Sequence, residues 1–158
     1  MTAHVCVEQL YALAGYRTAF PPGTGYIALA ALGERGIRES SIAGINERGV
    51  VTVDSRGRWT LHVNPSCSDE ELVMAYARGL ARWWTTVRPQ WRGCCSLESL
   101  AERIAIPDPA LAILLGPHNY SVEGAARFMR LPIDVVARRA RALSEPATAR
   151  SGLYAAVR

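Results

Sequence analysis

The chain has 158 residues, of which 49% are apolar and 20% charged, and its formal net charge is +4. This length suits one compact domain with its own core and is short for two. No stretch reaches the about 18 consecutive apolar residues of a membrane span. The N-terminus carries Glu8 and no basic n-region, so it does not resemble a signal peptide. We therefore expect a soluble, cytoplasmic protein that does not interact with membranes.

The basic residues are all arginines, eighteen in number, and the mild positive charge they give is weak evidence for nucleic-acid binding. In the cytoplasm the cysteines are expected to be reduced. No CxxC pair is present, and the neighbouring Cys94 and Cys95 lack the spacing of a zinc knuckle. We predict structural thiols, and the four are Cys6, Cys67, Cys94 and Cys95.

The first third of the chain contains one clear element, a helix predicted over residues 5–16 from its apolar spacing and the stop at Gly15. Prolines and glycines predict a turn over 19–25. The apolar run 26–33 is ambiguous between strand and helix, because short apolar runs cannot be separated by periodicity. The polar residues 34–41 are predicted to connect elements.

A β-hairpin follows, with predicted strands over 49–54 and 59–64 and a polar turn over 55–58. Alternating valines mark the first strand, and Trp59, Leu61 and Val63 alternate in the second. Pro65 ends the second strand because it lacks the backbone N–H of a ladder.

The strongest helix signal follows the hairpin. Ser68 and Glu71 form a capping-box pattern in front of apolar residues at helical spacing, which predicts a helix over 69–84. Ser96 caps the next helix, and Pro107 separates it from a short apolar helix. These later elements are predicted over 97–105, 109–116, the helix pair 121–143 and a C-terminal tail 144–158.

The order of these elements carries a resemblance. A hairpin with the sequence WTLHVNP, a capped helix, a helix with ESLAERIA, a proline break and a closing helix pair resemble the ImmA/IrrE family of metallopeptidase-like proteins. The resemblance covers about residues 45–143. In this family the domain ends with a characteristic sequence pattern. The residues that match it here are Ser121, Val122, Ala125 or Ala126, Phe128, Val135 or Val136, and Arg139. The resemblance implies an α+β, mainly helical, zincin-like metallopeptidase fold with a small antiparallel sheet, in a single domain over 1–143.

The sequence departs from that family at its catalytic motif. HExxH supplies two zinc-binding histidines at i and i+4, and a glutamate as general base. Here the aligned residues are YARGL, so Tyr76 and Leu80 replace the histidines and Ala77 replaces the glutamate. Glu98 matches the family's carboxylate ligand, but one carboxylate does not hold zinc alone. We therefore expect no bound metal or other cofactor and no catalytic residue.

Other polar residues offer no clear replacement site. His4, His62 and His118 are scattered, with His62 predicted as a half-exposed strand residue and His118 in a turn. Two interpretations of Arg78 remain open. It can form an ion pair with Glu98 in the former cleft, or it can simply face solvent on an amphipathic helix.

Two features indicate a binding surface. Four tryptophans are dense around the altered helix, and burying all of them in so small a domain is difficult, so some are expected to be exposed near arginines, as at partner surfaces. The basic second helix of the pair 121–143 can be a DNA-reading helix or the solvated side of a structural one. The candidate surface residues are Arg78, Trp83, Trp84, Trp91, Arg138 and Arg139.

These expectations give one preferred function and two alternatives. The resemblance without its zinc ligands implies an inactive pseudo-metallopeptidase that binds another protein, such as a repressor, peptidase or regulator, in a phage, mobile-element or stress-response circuit. The first alternative is a zinc-dependent peptidase with an atypical or partner-completed site that cleaves a repressor. The second is a DNA-binding transcriptional regulator that uses residues 121–143.

Overall fold

A computed structural model of the chain describes residues 3–13, 37–41 and 49–144. The predicted turn 19–25, the ambiguous run 26–33 and residues 145–158 of the predicted tail lie outside the described residues. The elements are α1 (Ala3–Leu13), β1 (Ile37–Ser41), β2 (Gly49–Val53), β3 (Trp59–Val63), α2 (Asp69–Val87), a 3₁₀ turn (Pro89–Trp91), α3 (Leu97–Ala105), α4 (Asp108–Leu115), α5 (Val122–Met129) and α6 (Ile133–Ser144).

The α+β class is confirmed, since the described residues are mostly helical with one small sheet. None of the helices in this part of the chain is long and apolar enough to cross a membrane. The predicted helix over 5–16 begins and ends earlier, at Ala3 and Leu13. The C-terminal helix reaches Ser144, one residue into the predicted tail.

The sheet has three strands in the order β1-β3-β2. The predicted hairpin is confirmed, because β2 and β3 pair antiparallel with Val51 opposite Leu61. Gly57 in its turn has a φ of 74°, a left-handed conformation that glycine adopts without strain. The hairpin lays β3 along α2, so its alternate residues Leu61 and Val63 enter the core.

The prediction of a connecting segment over 34–41 is wrong, because residues 37–41 form β1. This strand pairs parallel to β3 with Ile37 opposite Trp59, so the sheet is mixed and not only antiparallel. The sequence IRESS has little of the alternation that marks a half-buried strand. The strand lies at one side of the described sheet and pairs through its backbone. Because this pairing does not depend on the side chains, the sequence pattern did not indicate a strand.

The long helix α2 forms where the capping pattern predicts it. The Glu71 amide donates to Ser68 Oγ at 3.3 Å, and the Ser68 amide donates to Glu71 Oε2 at 3.1 Å. Three acidic residues in the first turn complement the positive end of the helix dipole. The helix continues to Val87, three residues beyond its predicted end, and stops before Pro89, which cannot donate a helical hydrogen bond.

The core lies between α2, α3 and the sheet, with α1, α4, α5 and α6 closing it. Leu80 of α2 and Leu100 of α3 are almost fully buried in this core. The first helix packs on α3 as well, and the Tyr11 hydroxyl donates to the Ile104 carbonyl at 2.5 Å. This bond fixes α1 to a helix that follows it by more than eighty residues.

The predicted pair of helices is confirmed as α5 and α6. Ser121 caps α5 by accepting from the Gly124 amide at 3.0 Å. Arg130 ends α5 in a left-handed conformation with a φ of 51°, which turns the chain towards α6. The Pro132 carbonyl accepts from the Val135 amide at 3.0 Å and begins the second helix.

Candidate functional site

The positions aligned with HExxH lie on the core face of α2. Tyr76, Ala77 and Leu80 are 3%, 0% and 0% exposed. They recur at i, i+1 and i+4, and all three belong to the hydrophobic core cluster. A ligand set aimed at a cleft would occupy this face in the family that the sequence resembles. In this chain the face is filled by a packed interior.

Between these buried residues, Arg78 points outward and forms an ion pair with Glu98 of α3. Its Nε donates to Glu98 Oε2 at 2.9 Å, and its second terminal nitrogen donates to Glu98 Oε1 at 2.7 Å. The two side chains are 44% and 51% exposed. Of the two interpretations left open for Arg78, the ion pair is therefore confirmed, and it sits at the surface.

The pair holds both groups in their charged forms. The hydrogen bond from Arg78 lowers the pKa of Glu98 below its ordinary value, partial burial opposes this, and Arg138 lowers it a little further. The pKa of Arg78 is raised, first by the bond to Glu98 and also by the charge of Glu102. Both oxygens of the Glu98 carboxylate are engaged by one cation.

The pair belongs to a longer row of charges across α2, α3 and α6. Glu102 lies one turn after Glu98 on α3, and its Oε1 accepts from Arg138 Nε at 2.9 Å. Arg138 also donates to Asp134 at 2.7 Å on its own helix. We call this row the charged stripe, and its members are Arg78, Glu98, Glu102, Arg138 and Asp134. The two arginines of the stripe form hydrogen bonds with its three carboxylates. Their positive charges are therefore neutralised within the fold.

A second group of charged residues, Arg139, Asp108 and Arg103, lies inside the fold. Its geometry differs from the surface position that was predicted for Arg139. This side chain is 4% exposed and pairs with Asp108 at the start of α4, which also accepts from Arg103 at 2.6 Å. The prediction that Arg139 lies on a binding surface is wrong. Val135, Val136 and Arg139 share the inner face of α6, so the guanidinium points into the core and needs an internal carboxylate.

The prediction of a tryptophan surface is also wrong. Trp83, Trp84 and Trp91 are 7%, 3% and 1% exposed, and Trp59 is half-buried. Helix α2 packs on α3 on one side and on β2 and β3 on another, so adjacent positions of the helix are both covered. The Trp83 and Trp84 rings lie 5.8 Å apart, and the Arg88 guanidinium lies 5.7 Å from the Trp84 ring.

An aromatic pair that the sequence did not single out lies on the surface instead. Tyr120 and Phe128 are 38% and 45% exposed, and their ring centres lie 5.4 Å apart. Gly124 lies beneath them, and a Cβ there would meet the Tyr120 ring at 3.1 Å. The available signal was the i, i+4 spacing of Gly124 and Phe128, with an aromatic residue just before the cap at Ser121. We call Tyr120 and Phe128 the aromatic surface.

The histidines do not converge. His62 Nε2 shares a 2.8 Å hydrogen bond with Thr52 Oγ1 across the hairpin and is half-buried, while His118 is exposed after α4. The His4 side chain lies outside the described residues. In the part of the chain that the structure describes, no three His, Cys, Asp or Glu residues are grouped so as to hold a metal ion.

Comparison with known proteins adds no further assignment. No family model matches this chain, and no curated protein matches it. The resemblance to the ImmA/IrrE family therefore rests on the residues and on the order of elements given above, and it stays a prediction.

Proposed function

We propose that this chain is a catalytically inactive ImmA/IrrE-like pseudo-metallopeptidase with a zincin-like fold, which acts in the cytoplasm as a regulatory protein-binding module. The observation that carries the proposal is the pairing of Arg78 with Glu98. Glu98 is the one carboxylate of the family's site that the sequence retains. In this fold it forms an ion pair with Arg78.

Both charge and packing oppose zinc binding at Glu98. A zinc ion at Glu98 would have to displace a guanidinium that makes two charge-assisted hydrogen bonds, which are stronger than neutral ones. The face of α2 that would supply the other ligands offers Tyr76, Ala77 and Leu80, which are buried. A catalytic zinc site also needs an open position for water, and this packed face leaves no side chain to activate one.

The aromatic surface supports a binding function. Two neighbouring aromatic rings that are more than a third exposed are costly to leave in water, and aromatic residues dominate the energetics of protein interfaces. Arg127 is exposed next to Phe128 in α5. This combination suits a partner that places an apolar side chain on the rings and a carboxylate near the arginine.

The family resemblance suggests the biological setting. We propose a repressor, a peptidase or another regulator as the partner, in a phage, mobile-element or stress-response circuit. In such a circuit a chain that binds without cutting would sequester its partner or compete with an active peptidase.

Neither alternative function gains an observation in its favour. The DNA-binding regulator required Arg138 and Arg139 to reach phosphates, but Arg138 is paired with Glu102 and Asp134, and Arg139 is buried. The zinc-dependent peptidase requires further ligands, and the groups nearest Glu98 in the charged stripe are arginines and carboxylates that already pair with one another.

The binding proposal is tested by comparing surface variants in one capture experiment. Purified wild-type chain is cross-linked in extract of its own cells beside the double variant Tyr120→Ala and Phe128→Ala. A matched control carries Val53→Ala and Val87→Ala, two exposed apolar residues elsewhere. We expect a partner captured by the wild type and the control and lost with the aromatic variant. Equal capture by all three, or by none, would overturn the aromatic surface as the binding site.

A further inference from the structure

Two adjacent cysteines bring their sulfurs together just before α3. The sulfurs of Cys94 and Cys95 lie 3.7 Å apart, and both side chains are half-buried. A disulfide bond is only about 2.05 Å long, so the two residues are free thiols. Their partial exposure leaves both sulfurs within reach of a small molecule. We call Cys94 and Cys95 the dithiol pair.

The segment between α2 and α3 holds the dithiol pair in place. The buried Trp91 ends the 3₁₀ turn, and its carbonyl accepts from the Cys94 amide at 3.3 Å. Gly93 has a φ of 78°, a left-handed conformation that glycine adopts without strain. After the pair, Ser96 caps α3 by accepting from the Ser99 amide at 3.1 Å. Both cysteines also pack against the hydrophobic core, so their sulfurs are positioned before a ligand arrives.

We propose that the dithiol pair is a binding site for a trivalent arsenical that carries one organic group, with the Cys94 and Cys95 sulfurs as its two ligands. An arsenical of this class needs two sulfurs on one arsenic atom and no third ligand from the protein. The site uses no residue of the aromatic surface and is independent of the proposed function.

The distance between the two sulfurs selects this chemistry. Thiolate sulfur binds a metal ion such as zinc at about 2.3 Å, so two sulfurs at a tetrahedral angle are about 3.8 Å apart and two on opposite sides are about 4.6 Å apart. Arsenic–sulfur bonds have a similar length, and trivalent arsenic is pyramidal. The observed 3.7 Å therefore suits a pyramidal centre after a small rotation of the side chains, and it is too short for a linear centre such as mercury(II).

Two competing fates of the dithiol pair are disfavoured. A structural zinc ion takes four ligands, and within the described residues no three His, Cys, Asp or Glu side chains are grouped to supply even most of them. A disulfide between neighbours is strained, because adjacent α-carbons are about 3.8 Å apart across a trans peptide and disulfides prefer about 4.4–6.8 Å. The pair is therefore best suited to a ligand that takes two separate sulfurs.

Binding exchanges the ligands of arsenic without changing its oxidation state. The hydrated arsenical carries two hydroxyl groups, and each thiol replaces one of them. In each exchange an arsenic–sulfur bond forms, an arsenic–oxygen bond breaks, and the thiol proton leaves with the hydroxyl group as water. The second exchange is intramolecular, so its effective concentration is high and a monothiol competes poorly with the closed complex.

The test is thiol mapping of the folded full-length chain with phenylarsine oxide as the probe. The reduced protein is incubated with one equivalent of the probe in excess glutathione, freed of small molecules, alkylated in denaturant and digested. The chain has four cysteines, and we expect one phenylarsenic group per chain, with the dithiol pair protected and Cys6 and Cys67 alkylated. Ethanedithiol should remove the group and restore four alkylated cysteines. No bound group, or protection of a different pair, would overturn the proposal.

Single variants test whether both sulfurs are needed. Cys94→Ser and Cys95→Ser should each lose the phenylarsenic group in glutathione, because a single arsenic–sulfur bond is displaced by the monothiol. The matched control Cys67→Ser removes a half-buried cysteine outside the pair and should bind one group as the wild type does. Retention of the group by either pair variant would show that the two sulfurs are not joint ligands. The wild-type map locates the site by itself, so the assignment does not depend on the folding of the variants.

Discussion

Arg78 of α2 binds both carboxylate oxygens of Glu98 of α3, at 2.9 and 2.7 Å. This bidentate geometry is the strong form of an arginine–carboxylate pair. In the proposed ImmA/IrrE-like alignment, Arg78 lies within the segment aligned with HExxH and Glu98 at the position of the carboxylate ligand. The salt bridge engages both oxygens of Glu98 within the fold, and the stability of the chain should respond to its removal.

Replacing Arg78 with glutamine should lower the free energy of unfolding by no more than ~1 kcal/mol, because the pair is largely solvent-exposed. Urea unfolding measures the change. Arg82→Gln is the matched control, since Arg82 is exposed one turn later on the same helix. An equal loss in the two variants would show that the Arg78 effect comes from helix propensity and not from the pair.

The pH dependence of stability should identify Glu98. Its pKa in the folded chain lies below the ordinary value of 4.5, so its contribution is present above that pH and is lost as the pH falls through the folded value. The stability difference between wild type and Glu98→Gln should therefore shrink as the pH falls below 4.5. A difference that stays constant from neutral to acid pH would contradict the lowered pKa.

Removing Asp108 should be far more damaging than removing an exposed acid. Asp108→Ala leaves the buried Arg139 guanidinium without its carboxylate, and breaking a buried ion pair costs about 3–5 kcal/mol. The control is Asp69→Ala, also in the first turn of a helix, whose pair with Arg130 is 67% and 71% exposed. It should cost under about 1 kcal/mol. Similar losses in thermal unfolding would mean that Arg139 does not depend on Asp108.

Leu80, which the proposed alignment places at the second zinc-binding histidine, should behave as a core residue. Leu80→Ala creates a cavity in the core and should cost about 2–5 kcal/mol in urea unfolding. Leu97→Ala at a side chain that is 51% exposed is the control and should cost much less. A small loss at Leu80 would place this residue in an open cleft instead.

The sequence predicted the elements whose signals are local. The cap at Ser68 and the alternation in the hairpin depend on neighbours a few residues away, so α2, β2 and β3 appear where the sequence predicts them. The parallel strand β1 was missed, because its pairing with β3 depends on backbone hydrogen bonds across more than twenty residues.

The candidate site was predicted only in part. The family resemblance placed Glu98 near Arg78 and so gave the ion pair as one of two interpretations. The burial of Arg139 could not be derived, because it depends on where α4 places Asp108. The exposure of the tryptophans was predicted wrongly for a similar reason, because composition does not show that α2 packs on two sides.

The most direct test of the central claim is the zinc content of the chain, measured by elemental mass spectrometry after purification without a histidine tag. The protein is soaked in zinc and dialysed, with Glu98→Gln treated in parallel. We expect zinc well below one per chain in both samples, because Arg78 holds Glu98 and the face beside it is packed. One zinc per wild-type chain that is lost in Glu98→Gln would contradict the account and show that Glu98 is a metal ligand.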